Sequence, residues 1–438
     1  INNSIKMGLM TGERYFEGFE FESWAQALSQ NGRYNIMWRP GGGNYNDLDS
    51  REAVEKQIQT GRQCAGLPEY VDEICYELES CPYSPLKKSP VSTANEGILS
   101  ICSGCSGVAW NVMPKRLSDA ENIFNAIRSK TPFMELLSEK FKNGKNLGVY
   151  DGWHPQAQAA VPDFFSDYGG RYAEGMDEID LLGIPRSYNL HKASAFVLQG
   201  RQPLVFSDEE IRYILSRGVY MDADAADILC KMGFGKYIGF KKGDETVDDL
   251  SEVCLNHPLN KGIEGESRTC FSVFAKGKSY ALIPEKGAAV ISNIQDVDRN
   301  VKYPCAMGCF ENELGGRVAV CGYFPWTDLS DYDKALQMKR LFLYLSNNAL
   351  EANIHSYHRL KLFVRETDGG KFAAVVYNCN PDTIENAEIR IRDNGEYIIA
   401  DEHMKKSALK QIGNDSGGGV YLLPELKPNA FYYIAIKE

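Results

Sequence analysis

From Ile5 to about Arg128, short apolar runs alternate with amphipathic stretches. The runs are Ile5–Met10, Asn35–Trp38, Glu73–Leu78 and Gly107–Val112. Each leads into a segment of helical period: Phe21–Ser29, Arg51–Cys64, Thr93–Cys102 and Asp119–Arg128, the last with Ser118 as its expected N-cap. Four such units predict parallel strands joined by crossover helices. A complete eight-unit barrel takes about 250 residues, so four units predict half of one, with two open sheet edges and a complementary half expected upstream of Ile1. A complete four-stranded doubly wound domain is the other topology that the pattern permits.

A second alternation starts at Leu147–Tyr150 and runs through Leu181–Ile184, Ala195–Leu198 and Gly218–Met221, with helices expected at Asp208–Ser216 and Ala223–Lys231, the latter capped by Asp222. Strand-like runs follow at Arg268–Phe274, Ser279–Pro284, Ala288–Ile294 and Arg317–Tyr323, and a helix at Asp333–Leu345 closes this part. From Ile354 the pattern changes to short strands punctuated by turns, Asp368-Gly-Gly and Asn394-Gly among them, which predicts a small antiparallel sandwich. The fold class read from the pattern is therefore multidomain α/β. On the barrel topology, half of a TIM barrel is expected over 1–146, with a flavodoxin-like α/β domain over 147–350 and a β-sandwich over 351–438.

Composition narrows the functions this fold could serve. A net charge of −11 with no dense basic run argues against a phosphate-backbone partner, and no apolar run approaches the length of a membrane span. Neutral ligands fit better, and aromatic residues at 11% of the chain suit sugar rings as well as ordinary cores. The stretch Ile1–Gly12 lacks the order of a signal peptide and does not begin with Met, so a missing native N-terminus is expected and the compartment stays open. The 12 cysteines are scattered. Cys102-Ser-Gly-Cys105 has no second pair at zinc-finger spacing and sits beside Ile98, Leu99 and Ile101, while Cys305 and Cys309 fit neither a zinc ribbon nor a redox motif; buried structural thiols are expected, with no metal and no cofactor.

In a β/α barrel the chemistry sits at the C-terminal ends of the strands. The second run ends in Trp38-Arg39-Pro40-Gly-Gly-Gly-Asn-Tyr45, the third in Tyr76-Glu77-Leu78-Glu79-Ser-Cys-Pro-Tyr83, and the fourth in Trp110-Asn111. Strand side chains alternate between faces, so Glu77 and Glu79 share the lumen if Tyr76 and Leu78 face the helices. Two carboxylates ending an apolar strand are either catalytic or paired with a neighbouring Arg or Lys at the barrel mouth. The glycines after Pro40 are either a flexible loop or a point of close backbone approach to a sugar.

The segment Glu77-Leu-Glu-Ser-Cys-Pro, followed about thirty residues on by Gly104-Cys-Ser-Gly-Val-Ala-Trp, resembles the seventh and eighth strands of clan A barrel glycosidases, most closely the family 42 β-galactosidases. The family's Met-Glu-x-x-Pro segment carries its nucleophile, and the matching residue is Glu79, with Leu78 in place of methionine. The family also carries an amidotransferase-like domain after the barrel, and Ser207-Asp-Glu-Glu-Ile together with Gly218-Val-Tyr-Met-Asp-Ala-Asp-Ala-Ala resembles it; a small β-domain then ends the chain. The clan's Asn-Glu acid/base pair has no counterpart in a suitable place, because Asn95-Glu96 falls in a helix, so the proton donor is expected upstream. No thiol occupies the turn at Asp222-Ala223, and His257 and His355 are isolated, which argues against amidotransferase chemistry.

What the resemblance implies is a retaining glycosidase acting on a carbohydrate substrate. Glu79 would attack, a second carboxyl group ~5 Å away would protonate the leaving oxygen, and water would release the covalent intermediate. Arg39 is expected to donate hydrogen bonds to Glu79, Asn111 to contact substrate, and Trp38, Tyr83 and Trp110 either to stack on the sugar or to pack the rim. Homo-oligomer contacts through the middle domain are a further implication. The competing function is a catalytically inactive barrel kept as a carbohydrate-binding or assembly scaffold.

Overall fold

The computed structural model describes residues 6–11, 21–41, 46–47, 50–80, 84, 86–113, 116–142, 144–154, 176–246, 251–269, 279–326, 329–367 and 370–437. Strands β1 (Met7–Met10), β2 (Ile36–Arg39), β3 (Glu73–Glu79) and β4 (Gly107–Asn111) form a four-stranded sheet in sequence order, every neighbouring pair parallel. Helices α1 (Phe21–Ser29), α2 (Ser50–Gly66), α3 (Pro90–Ser103) and α4 (Leu117–Lys140) accompany it. Ile36, Trp38, Tyr76 and Leu78 are buried, and β2 and β3 expose the alternate residues in part. In β2 and β3 this alternation sets one face against the helices, and among the described residues no helix covers the other. Ser89 caps α3 by accepting the Ser92 N–H, and Gly104 ends it at φ 125°, a backbone region that a Cβ strains.

Helix α4 departs from expectation at both ends. Ser118 lies inside its first turn and Arg116 precedes it without a side-chain cap, while the helix continues through Pro132 to Lys140. Proline costs a helix interior about 3 kcal/mol. Burial of Phe133, Met134 and Leu137 in one cluster with Ile98, Leu99 and Ile101 of α3 offsets that cost, since each fully buried large apolar side chain contributes roughly 1.5–3 kcal/mol.

The middle of the chain builds a nine-stranded sheet. Its parallel block comprises β5 (Gly148–Tyr150), β6 (Arg186–Ser187), β7 (Ala193–Leu198), β8 (Gly218–Asp222) and the later β15 (Arg317–Cys321), in spatial order 15-8-7-5-6. Antiparallel strands extend the β15 side: β10 (Ser251–Cys254), β11 (Ser267–Thr269), β13 (Ala289–Gln295) and β14 (Val301–Glu311). Two further strands, β9 (Phe240–Glu245) and β12 (Tyr280–Pro284), pair with each other. Helices α5 (Met176–Leu181), α6 (Asp208–Leu215), α7 (Ala223–Leu229) and α8 (Tyr332–Leu345) belong to this part. Leu181–Ile184 is not a strand: α5 ends there and Gly183 turns the chain at φ 74°, where a Cβ would meet the Ile354 side chain at 2.1 Å.

The C-terminal part is two antiparallel sheets face to face. One holds Ala352–Ile354, Glu388–Ile391, Lys410–Asp415 and Gly418–Leu422; the other holds Lys361–Glu366, Phe372–Asn378, Tyr397–Asp401, Lys406–Ala408 and Ala430–Ile436. Their inner faces meet through residues such as Leu362, Val376, Ile389, Ile399 and Ile434. Asn394-Gly395 joins strands of different sheets instead of closing a hairpin, and the Tyr421 hydroxyl holds it by accepting from Gly395 N at 3.1 Å and donating to Gly395 O at 2.8 Å.

Buried polar groups link the three parts. Asp151 pairs with Arg62 of α2 and Arg186 of β6, and Asp180 of α5 pairs with Arg186 and with Lys361 of the sandwich. Arg365, also from the sandwich, donates to Asn146 Oδ1 at 2.8 Å and to the Phe141 carbonyl beyond α4 at 3.2 Å.

Candidate active site

The open face of the four-stranded sheet is the face that its helices leave uncovered. Pairing sets Gly8 beside Met37, Met10 beside Arg39, Glu77 beside Ala109 and Glu79 beside Asn111. Tyr76 and Leu78, with no exposed surface, point the other way. Glu77 and Glu79 therefore lie on one face, one pleat apart, at the C-terminal end of β3. The Glu77 backbone N–H donates to the Pro40 carbonyl at 3.1 Å, which fixes the end of β2 against β3.

Among the described residues, two polar contacts organise the carboxylates. Arg39 Nη2 lies 2.9 Å from Glu77 Oε1, and Asn111 Nδ2 donates to Glu79 Oε2 at 3.2 Å. The ion pair of Arg39 is thus with Glu77, not with Glu79 as expected, because the register that sets Trp38 beside Ile74 leaves Arg39 closer along β3 to Glu77 than to Glu79. Asn111 is the neighbour that reaches Glu79. One carboxylate is paired with a guanidinium, and the other accepts a hydrogen bond from a neutral amide.

The stacking residues do not gather on this face. Trp38 has no exposed surface, packs edge-on against Phe21 at 5.9 Å and donates its indole N–H to Gln63 of α2 at 3.2 Å. Trp110 lies level with Leu78 on the helix side, where its ring covers Gly97 of α3 so closely that a Cβ there would stand 2.5 Å from Cη2. The alternation that brings Glu77 and Glu79 together sends both tryptophans behind the sheet, so the expectation that they stack on substrate is corrected. Tyr83 and most of the glycine loop after Pro40 lie outside the described residues.

Behind β3, Glu96 of α3 accepts the Tyr76 hydroxyl at 2.6 Å and pairs with Lys88, both charges being buried. Burial pulls the Lys88 ammonium down to about 7, and the Asp47 carboxylate opposes that shift. Glu96 is therefore in a helix, as its sequence context indicates, and its carboxylate stiffens the strand from behind. Lys88 carries no periodicity that would have revealed this contact.

At the C-terminal end of β8, Asp222 caps α7 by accepting the Ala225 N–H at 2.8 Å and also accepts the Gly200 N–H. Burial pushes its carboxyl up to about 7 against those two donors. Cys102 and Cys105 are buried, and burial raises both thiols, Cys102 to about 12. The ten described cysteines are all free. Among the described residues no helix is long and apolar enough to cross a membrane.

No protein-family model matches the chain, and no curated protein matches it in sequence. Solved structures do. The α-L-fucosidase isoenzyme 2 of Paenibacillus thiaminolyticus aligns over 84% of this chain with a TM-score of 0.57 and 9% identity. A rhamnosidase from Novosphingobium sp. PP1Y aligns over 95% of the chain, with a TM-score of 0.46 and 9% identity. The chain spans 61% of the fucosidase's length and 38% of the rhamnosidase's. The mixed α/β architecture is thus one found among glycoside hydrolases.

Proposed function

We propose that this chain contributes half of the catalytic barrel of a retaining glycoside hydrolase, with Glu79 as the nucleophile. The observation that carries the reading is the pair Glu77 and Glu79 at the C-terminal end of β3, on the open face of a parallel sheet, with Arg39 on the first and Asn111 on the second. Glu79 attacks the anomeric carbon, Asn111 orients its carboxylate, and the Arg39–Glu77 pair sets the charge beside it. The likeness to a fucosidase supports carbohydrate chemistry, and the family 42 resemblance around Glu79 makes β-galactosides the first substrates to try. The proton donor is assigned to strands that pair with the open edges of β1 and β4, where a barrel would continue.

The test uses the protein with its barrel completed and a panel of 4-nitrophenyl glycosides, β-galactoside and α-fucoside included. Glu79→Gln should lower turnover on the order of 10³-fold or more, because an amide cannot form the glycosyl ester. Glu77→Gln should cost less, ~10- to 100-fold, the range known for residues that orient metal ligands. Azide should rescue Glu79→Ala and give a product of inverted configuration. Near-normal turnover by Glu79→Gln refutes the assignment.

A further inference from the structure

A cavity lies far along the chain from β3, at the seam between α8 and the sandwich. It encloses about 350 Å³ and is lined by Asn353, His355, Tyr357, Glu388 and Asp415 together with Lys339 and Arg340 of α8. We propose that this seam binds a neutral saccharide at a site separate from Glu79. The choice of ligand class rests on the carbohydrate reading above; the site itself rests on the geometry that follows.

The first observation is an aromatic platform held in place. Tyr332 and Tyr357 are 68% and 48% exposed, unusual for such large rings, and meet edge to face at 5.0 Å. Tyr357 also stacks on His358 at 4.4 Å. The turn carrying Tyr357 is clamped from below by Lys339 of α8, whose buried ammonium donates to the carbonyls of Ser356 and His358. Ser356 Oγ lies 2.9 Å from His358 Nδ1 and accepts the Glu388 N–H at 3.0 Å. A ring so positioned loses little freedom when a pyranose packs on it, which is how aromatic residues bind sugars economically.

The second observation is independent of the first. In the strand Ala352–Ile354 the flanking residues face the sandwich core, so Asn353 faces the cavity. Asn353 is 1% exposed; its Nδ2 donates to the Ile354 carbonyl at 3.2 Å, while its Oδ1 is buried without a hydrogen-bond donor among the described residues. A buried amide oxygen on the wall of a cavity is the acceptor that a sugar hydroxyl would complete. Glu388 and Asp415 add acceptors, and His355, 3.6 Å from Asp415, adds a donor. The carboxylates of Glu388 and Asp415 share the lining with Lys339 and Arg340, which favours an uncharged polyol over an anion.

The experiment is affinity electrophoresis of the 438-residue chain in native gels containing pectic galactan, galactomannan or xylan, for wild type, Tyr357→Ala, Tyr357→Phe, Glu388→Gln and Glu79→Gln. Retardation is expected in at least one gel. It should weaken at least tenfold in Tyr357→Ala and several-fold in Glu388→Gln, and persist in Tyr357→Phe and Glu79→Gln. Tyr357→Ala should leave the melting midpoint and, in the completed protein, turnover of small aryl glycosides unchanged. Absence of retardation in all three gels, or equal retardation of wild type and Tyr357→Ala, overturns the seam site. Loss of aryl-glycoside turnover on Glu79→Gln is read separately, so either proposal can fail while the other stands.

Discussion

Asp180→Asn is the sharpest test of how the three parts hold together. The Asp180 carboxylate lies 2.8 Å from Lys361 Nζ and 3.1 Å from Arg186 Nη2, and all three side chains are at most 2% exposed. With an effective dielectric constant near 20, one unit charge pair at that distance attracts by about 6 kcal/mol before desolvation is subtracted. Desolvating two buried ions takes back several kcal/mol, so the pair contributes little net stability compared with an apolar replacement. Removing one partner is different, because both cations stay buried after the carboxylate has gone. The expected loss is about 3–5 kcal/mol. Urea unfolding followed by circular dichroism should show a lower midpoint at unchanged slope. Adding Lys361→Met should restore most of the loss, since a buried cation is then replaced by an apolar chain of similar length. A loss below about 1 kcal/mol in Asp180→Asn, or no recovery in the double variant, would refute this account of the network.

Other outcomes follow from the same physics. Glu252 is buried, which alone would raise its carboxyl, but Lys334 and Arg268 hold it down to about 2. Its folded value lies below the unfolded 4.5, so its stabilisation is complete above 4.5 and disappears as pH falls through 2, on the order of 3 kcal/mol; Glu252→Gln should flatten an acid-unfolding curve in that window. Asp222 behaves in the opposite sense: burial raises it from 3.8 to about 7, so its contribution is present below 3.8 and is lost as pH rises through 7. Asp222→Asn should therefore melt higher than wild type at pH about 8, and its advantage should shrink toward pH about 4; a pH-independent difference contradicts this. Gly218→Ala should cost about 3 kcal/mol or fail to fold, because its Cβ would stand 1.9 Å from the Leu345 carbonyl oxygen, as thermal melting would show.

Local pattern carried much of this architecture. The run Glu73–Leu78 reads as a strand because Ile74, Tyr76 and Leu78 repeat every second residue, and the same period places Glu77 and Glu79 on one face without reference to any other part of the chain. Capping chemistry is equally local, so Asp222 marks its helix start correctly. Where local signals conflict with burial, the sequence misleads. Pro132 suggests a helix end, yet packing on α3 carries α4 past it, and Pro304 obscures the eleven-residue strand Val301–Glu311. Strand Leu181–Ile184 was expected from its apolar residues, which bury just as well in the turn after α5.

Partnership is what only the tertiary structure decided. Charges and rings act on whatever lies across the fold, at a distance that no periodicity encodes. That Arg39 meets Glu77 and Asn111 meets Glu79 depends on the register between neighbouring strands. That Trp38 and Trp110 are lost to the helix side depends on which face the helices cover. The linking of Arg62, Asp151, Asp180, Arg186 and Lys361 joins residues up to 299 positions apart, since 361 − 62 = 299. A sequence specifies the period of each element, because that is set by neighbouring residues; the pairing of buried charges is set by desolvation, which exists only once the elements have closed over them.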